Sequence, residues 1–230
     1  MNGGVWAELI GQDRVVETFR AATSGENHAM THAWLITGPP GSGRSNVARA
    51  FAAALQCDRG GCGDCNACRT SLSGSHPDVT LVRTEQLSIG VDEIGELVLR
   101  AAMRPATGRY QIIVIEDADR VTTRGAPALL KAIEEPAPRT VWLLCAPTPD
   151  DVIHTIRSRC RLVELATPSE TAIAELLVQR DGVPRELAAF AARVCQGHIG
   201  RARHLARDPE ARRRRAEVLR IPARLNSVGA

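Results

Sequence analysis

Four groups of residues in this chain have the types and spacing that chemistry requires. The first is Gly38-Pro39-Pro40-Gly41-Ser42-Gly43-Arg44-Ser45. It meets the phosphate-loop pattern G-x-x-x-x-G-K-[ST] at every fixed position except one, where Arg44 stands for lysine. Gly38, Gly41 and Gly43, with Ser42 among them, let backbone N–H groups converge on phosphate oxygens, and a following helix adds partial positive charge. Ser45 is placed to meet a magnesium ion. A guanidinium is a bulkier, planar fork that fits poorly between outer phosphates. Binding can survive on the backbone amides and Ser45, whereas hydrolysis is disfavoured. A glycine turn with no ligand is the plainer alternative.

The second group is Cys57, Cys62, Cys65 and Cys68, spaced C-x4-C-x2-C-x2-C with glycines at 60, 61 and 63. Four thiolates so close in sequence can close a tetrahedron around zinc, and with every position filled by protein the site is structural. A disulfide pair and unligated thiols are the alternatives, the former disfavoured in a reducing compartment. The third is the acidic pair Glu116-Asp117 at the end of an apolar run. There a nucleotide-hydrolysing sheet holds magnesium and polarises water; a solvated strand-end turn is the alternative. The fourth is Ser158-Arg159-Cys160. Arg159 is either a surface charge or, in a ring, a guanidinium offered to a neighbour's γ-phosphate.

These groups need elements to position them. A helical stretch is predicted over 5–30, around Leu9-Ile10-Gly11-Gln12 and ending at Ser24-Gly25. A strand at 33–37 feeds the phosphate loop, and its helix runs to about Gln56. His76-Pro77-Asp78 closes the cysteine insertion before a strand at 79–82. A helix capped by Ser88 or Asp92 continues to Met103. Strands at 111–115, 140–145 and 162–165 alternate with a helix from Ala126 to Glu135, stopped by Pro136. Such alternation implies a doubly wound parallel sheet. Beyond Pro168 the pattern is helical only, roughly 170–180, 184–195 and 200–207, with breaks at Gly182, Gly197 and Pro209. A basic helix then begins and fades over 226–230, as if the chain were cut inside a linker.

The 230 residues carry 24% charged and 44% apolar side chains and a net charge of +3, a soluble globular composition. No run is apolar enough to span a membrane and no leader opens the chain, so a cytoplasmic protein without membrane partners is expected. Aromatics at 3% argue against base-stacking platforms. Arg212 to Arg215 form a basic run, read as a solvated helix face ahead of a nucleic-acid patch.

In their order, Ile10-Gly11-Gln12, His32-Ala33-Trp34-Leu35, the phosphate loop, the four cysteines, His76-Pro77-Asp78, Ala128 to Pro136 and Ser158-Arg159-Cys160 cover nearly the whole chain. The series resembles the AAA+ clamp-loader family of bacterial DNA polymerase III. That resemblance implies an α/β fold, an AAA+ P-loop parallel sheet with an inserted zinc knuckle, followed by a small all-helical lid domain. It implies domains at 1–166 and 167–210, with 211–230 starting a linker or collar. Ile10, Gly11 and Gln12 would join the nucleotide site, and Arg159 would act as an arginine finger in trans.

Four departures from the family's motor subunit occur together. Arg44 replaces lysine, Glu116-Asp117 replaces Asp-Glu, Cys145-Ala146-Pro147 lacks the sensor hydroxyl, and Gly200 falls where the sensor arginine aligns, with Arg201 displaced by one. They imply a non-motor subunit, or stator, whose own site takes ATP and magnesium weakly or not at all. Its partners would be the tau/gamma and delta subunits and, through them, the sliding clamp and primed DNA. An ATP-hydrolysing tau/gamma-type motor is the alternative. A stand-alone zinc-dependent nucleic-acid binder ranks last, because only Arg59 and Arg69 are basic within 57–69.

Overall fold

The computed structural model describes residues 3–25 and 29–227. The chain divides into two compact units, Met1–Ala166 and Thr167–Ala230. In the first, strands β1 (Ala33–Thr37), β2 (Val79–Val82), β3 (Gln111–Ile115), β4 (Thr140–Ala146) and β5 (Arg161–Glu164) form one sheet. All pairs are parallel, in the order β2-β3-β4-β1-β5. Parallel neighbours need long crossovers. Helices α2 (Arg44–Gln56), α3 (Asn66–Ser73), α4 (Val91–Ala101), α5 (Ala126–Glu134) and α6 (His154–Arg157) lie in those crossovers, after α1 (Asp13–Ser24).

The strands read as near-continuous apolar runs because helices cover both faces of the sheet. Trp34 and Ile36 of β1 join one core with α1 and α2, and Ala33 and Leu35 join the other with α4 and α5. In register, Leu35 faces Leu144 on one side and Leu162 on the other. The loop leaving β1 therefore opens between strands that come late in the chain, the switch point where open α/β sheets bind ligands.

Helix α2 is fixed by aromatic packing. Phe19 of α1 stacks on Phe51 of α2 with centroids 4.0 Å apart, and Trp34 meets both rings edge-on at 5.2 Å. Such pairs add about 0.5–1.5 kcal/mol each beyond area burial. Asp78 ties down the approach to β3: its carboxylate accepts the N–H groups of Ala106 at 2.6 Å, Thr107 at 2.9 Å and Gly108 at 2.6 Å. Burial alone would raise the Asp78 carboxyl, but these donors outweigh it and hold it below the ordinary value.

Several boundaries differ from the sequence expectations. The predicted helix over 5–30 is a 3-10 turn at Gly4–Glu8 and then α1. The break falls at Gly11, whose φ of 71° no right-handed helix accommodates; residues 26–28 lie outside the described residues. Helix α4 begins after Gly90 with no side-chain cap, so neither Ser88 nor Asp92 caps it. Within the cysteine insertion the chain forms α3, whose Cys65 N-cap sulfur accepts the Cys68 N–H at 3.4 Å.

The second unit holds α7 (Glu170–Gln179), α8 (Arg185–Cys195), α9 (Ile199–Arg207) and α10 (Pro209–Ser227). Small side chains at Ala188, Ala191, Ala192 and Ala202 let the helices pack closely around Ile173 and Leu177. Pro209 starts α10 as its first residue, a position that needs no N–H partner. The helix continues through Asn226 to Ser227, where the sequence predicted fading. Arg212 donates to the terminal carbonyls of α9, Leu205 O at 2.9 Å and Ala206 O at 2.8 Å. Arg213 and Arg214 face Glu210 and Asp208, so much of the basic run is engaged by its own unit.

Candidate functional site

Gly38 to Gly43 bridge β1 and α2. Gly43 caps α2 with φ of 96°, a left-handed conformation that glycine adopts without strain. The first helical bond runs from Val47 N–H to Gly43 O at 2.9 Å. The N–H groups of Arg44, Ser45 and Asn46 therefore face out of the helix end, as an anion site requires. At Gly38 a Cβ would lie 2.8 Å from both Leu165 Cβ and Ser42 Oγ, so only glycine fits the base of the cradle. Ser42 is 3% exposed and its hydroxyl has no hydrogen-bond partner among the described residues. Arg44 turns inward and donates through Nη1 to Gly38 O. Ser45 stands half-buried in the first turn of α2.

Glu116 and Asp117 follow β3, as the acidic pair was expected to. One oxygen of Glu116 is engaged by α2. Glu116 Oε1 accepts Arg49 Nε at 3.2 Å and Nη2 at 2.7 Å, and the carboxylate side chain is 8% exposed. Breaking a buried pair by removing one partner costs about 3–5 kcal/mol, less where one side is partly solvated as Arg49 is. The sequence reading missed Arg49. Its signal was there: an arginine set in α2 between Val47, Ala48 and Ala50 through Gln56, all buried, needs a partner. Cys145 at the end of β4 is fully buried, and its thiol is pushed up to about 12, chiefly by desolvation. Arg44, Glu116 and Asp117 all act on it electrostatically.

Of the three residues added by resemblance, Gln12 is 3% exposed and behaves like a peptide group. Its Nε2 donates to Ala166 O at 2.7 Å and its Oε1 accepts Ala166 N–H at 3.1 Å. That side chain pins the exit from β5. Ile10 is half-buried and Gly11 exposed.

The four cysteines come together as a tetrahedral set. Cys57 Sγ lies 3.6 Å from Cys62 and 3.7 Å from Cys65, and Cys62 lies 3.9 Å from Cys68. A regular tetrahedron with Zn–S bonds of about 2.3 Å has edges of about 3.8 Å. All four sulfurs lie within 4.8 Å of one another, so the residues fit a metal ion such as zinc. Backbone N–H groups prepare the charge: Arg59 N–H points to Cys57 Sγ at 3.3 Å. Burial would raise the Cys57 thiol, but N–H groups of Cys62, Gly61 and Arg59 bring it down to about 6. Cys68, the deepest, is pushed up by burial. The 3-10 turn leans on this module through Val5 N–H to Gly61 O at 3.0 Å.

Arg159 sits in the turn between α6 and β5 and is 41% exposed. Its Nε meets Glu134 Oε1 at 2.5 Å, and Nη1 donates to Thr155 O at 3.0 Å and Ser158 Oγ at 3.3 Å. Among the described residues these contacts hold the guanidinium on α5 and α6, and none joins it to the phosphate loop.

A parallel sheet in this order, with a phosphate loop after β1, between β4 and β5, defines a module of the AAA+ type. Solved structures agree on the fold. The Holliday junction branch migration motor RuvB of Thermotoga maritima matches with a TM-score of 0.61 at 17% identity, over 86% of this chain and 61% of that one. A family model described as DNA polymerase III, delta subunit, matches residues 11–169. The chain is 37% identical over 151 residues to DNA polymerase III subunit delta' of Pseudomonas aeruginosa, covering 63% of this chain and 45% of that one. It is 30% identical over 199 residues to the Bacillus subtilis delta' subunit, covering 85% and 60%. The Mycobacterium tuberculosis gamma/tau subunit is 34% identical over 159 residues, covering 67% and 27%. This chain belongs to the delta-prime family of bacterial DNA polymerase III clamp-loader subunits. It spans about half the length of these delta' relatives.

Proposed function

We propose that this chain is a non-motor subunit of the clamp loader, working in the cytoplasm at the replisome. It stands in a ring with tau/gamma and delta subunits and helps an ATP-driven machine place the sliding clamp on primed DNA. The observation that carries the reading is the Arg49–Glu116 pair, which engages the carboxylate a motor subunit needs for its metal. The inward turn of Arg44 and the fully buried Cys145 point the same way.

In this reading the chain's contribution to hydrolysis lies in Arg159. Its guanidinium is a planar fork of donors and is already oriented by Thr155 O and Ser158 Oγ. Glu134 holds it as a counter-ion until a neighbouring subunit's triphosphate takes over that role. Donors poised where charge develops stabilise the transition state without reorganisation. Cys57, Cys62, Cys65 and Cys68 hold a structural zinc, whose bound charge locks the knuckle, and the second unit serves as the helical lid.

Reconstitution tests the reading. Adding the protein to tau/gamma and delta subunits is expected to raise clamp- and DNA-stimulated ATP turnover well above that of the mixture without it. No rise, with assembly demonstrated by gel filtration, would refute the proposal.

A further inference from the structure

We infer that the cleft between α4 and α5 binds a small amphipathic carboxylic acid, its apolar body against Trp142 and its carboxylate toward Lys131, Arg104 and Arg139. The inference does not rest on the clamp-loader reading.

The cleft has a volume of about 320 Å³. That is enough for a small molecule, whose pockets are mostly apolar with a few placed polar groups. Ala101, Ala128 and Ala132 leave room that larger side chains would fill, and Trp142 of β4 forms part of the wall. Trp142 is 0% exposed, yet its indole N–H has no hydrogen-bond partner among the described residues. Buried donors are nearly always paired. Trp34 of the neighbouring strand follows that rule, donating to Thr31 O at 2.9 Å. A ligand oxygen in the cleft supplies the acceptor that Trp142 lacks.

The charge around the cleft selects an anion. Ala102 and Ala137 also line a second hollow, of about 500 Å³, to which Arg104 and Arg139 contribute. Lys131 lines the cleft itself. All three cations are exposed, and none has an ion-pair partner among the described residues. Glu135 is the one carboxylate that lines either hollow, so positive charge exceeds negative there by three to one. Arginine pairs with a carboxylate through two parallel N–H bonds. An apolar chain ending in a carboxylate therefore matches both parts of the site.

The probe is octanoate, titrated into the isotope-labelled full chain while the indole N–H resonances of its three tryptophans are followed by NMR. Trp142→Phe identifies the Trp142 signal, and sequential assignment of the wild-type chain does so should that variant unfold. The Trp142 resonance should move and saturate with a dissociation constant of about 1 mM or tighter, while those of Trp6 and Trp34 stay. Octanol, the same body without the charge, should bind about tenfold more weakly. Arg104→Ala combined with Arg139→Ala should weaken octanoate by about tenfold and leave octanol unchanged. Ala132→Leu fills the cleft and should abolish both. A Trp142 resonance that stays still up to about 10 mM octanoate would mean a hollow holding only water, and the inference would fall. Equal affinity for acid and alcohol, or full octanoate affinity in the double arginine variant, would overturn the choice of an acid. Octanoate binding that survives Ala132→Leu would put the site elsewhere and overturn it as well.

Discussion

Arg159→Ala is expected to lower ATP turnover by the reconstituted clamp loader, on the scale of 10³-fold at the site that Arg159 serves, with assembly intact. The size follows from what an arginine finger does in other phosphoryl-transfer enzymes, where one guanidinium in trans is worth at least that factor. Loss of the side chain has little reason to harm the fold. Arg159 is 41% exposed, its partner Glu134 is 42% exposed, and a surface pair of this kind contributes little to stability. Arg159→Lys keeps the charge but loses the planar fork and should recover only part of the rate. Unchanged turnover in a correctly assembled Arg159→Ala complex would remove the trans role.

Metal removal is the second large effect. Extracting the ion, or replacing Cys68 by serine, should abolish cooperative folding of the first unit or lower its unfolding free energy by several kcal/mol. Apparent zinc binding of about 10–16 kcal/mol in small zinc modules is comparable with the whole stability of a domain. The damage should spread beyond the knuckle. Cys57 and Cys68 are part of the main core, and the 3-10 turn bearing the buried Trp6 hangs on Gly61. Metal analysis should find one zinc per chain, none in Cys68→Ser, and one in the control Cys195→Ser. A native melting profile after complete loss of the metal would contradict the structural role.

What could be read from the sequence was whatever lay close together along it. The cysteine spacing, the glycines of the phosphate loop and the apolar strand runs are local patterns, and each folds into the element expected. The site's chemistry was harder, because it depends on residues distant in sequence. Arg49 and Glu116 are 67 residues apart, and nothing in either neighbourhood says they will meet. Gln12 and Ala166, 154 apart, are linked only because β5 ends beside the start of α1. His76-Pro77-Asp78 was recognisable as a closing motif, but not that Asp78 would gather three N–H groups from residues 106–108. Helix α3 escaped notice because the glycines and cysteines before it masked a helix nucleated by a sulfur cap.

The central claim is that this subunit cannot run its own hydrolytic cycle, although it serves a neighbour's. ATP turnover by the purified chain alone, with magnesium, tests it most directly. The account predicts a rate indistinguishable from a protein-free control. Steady turnover that disappears in Arg44→Ala would contradict it and make the chain a motor.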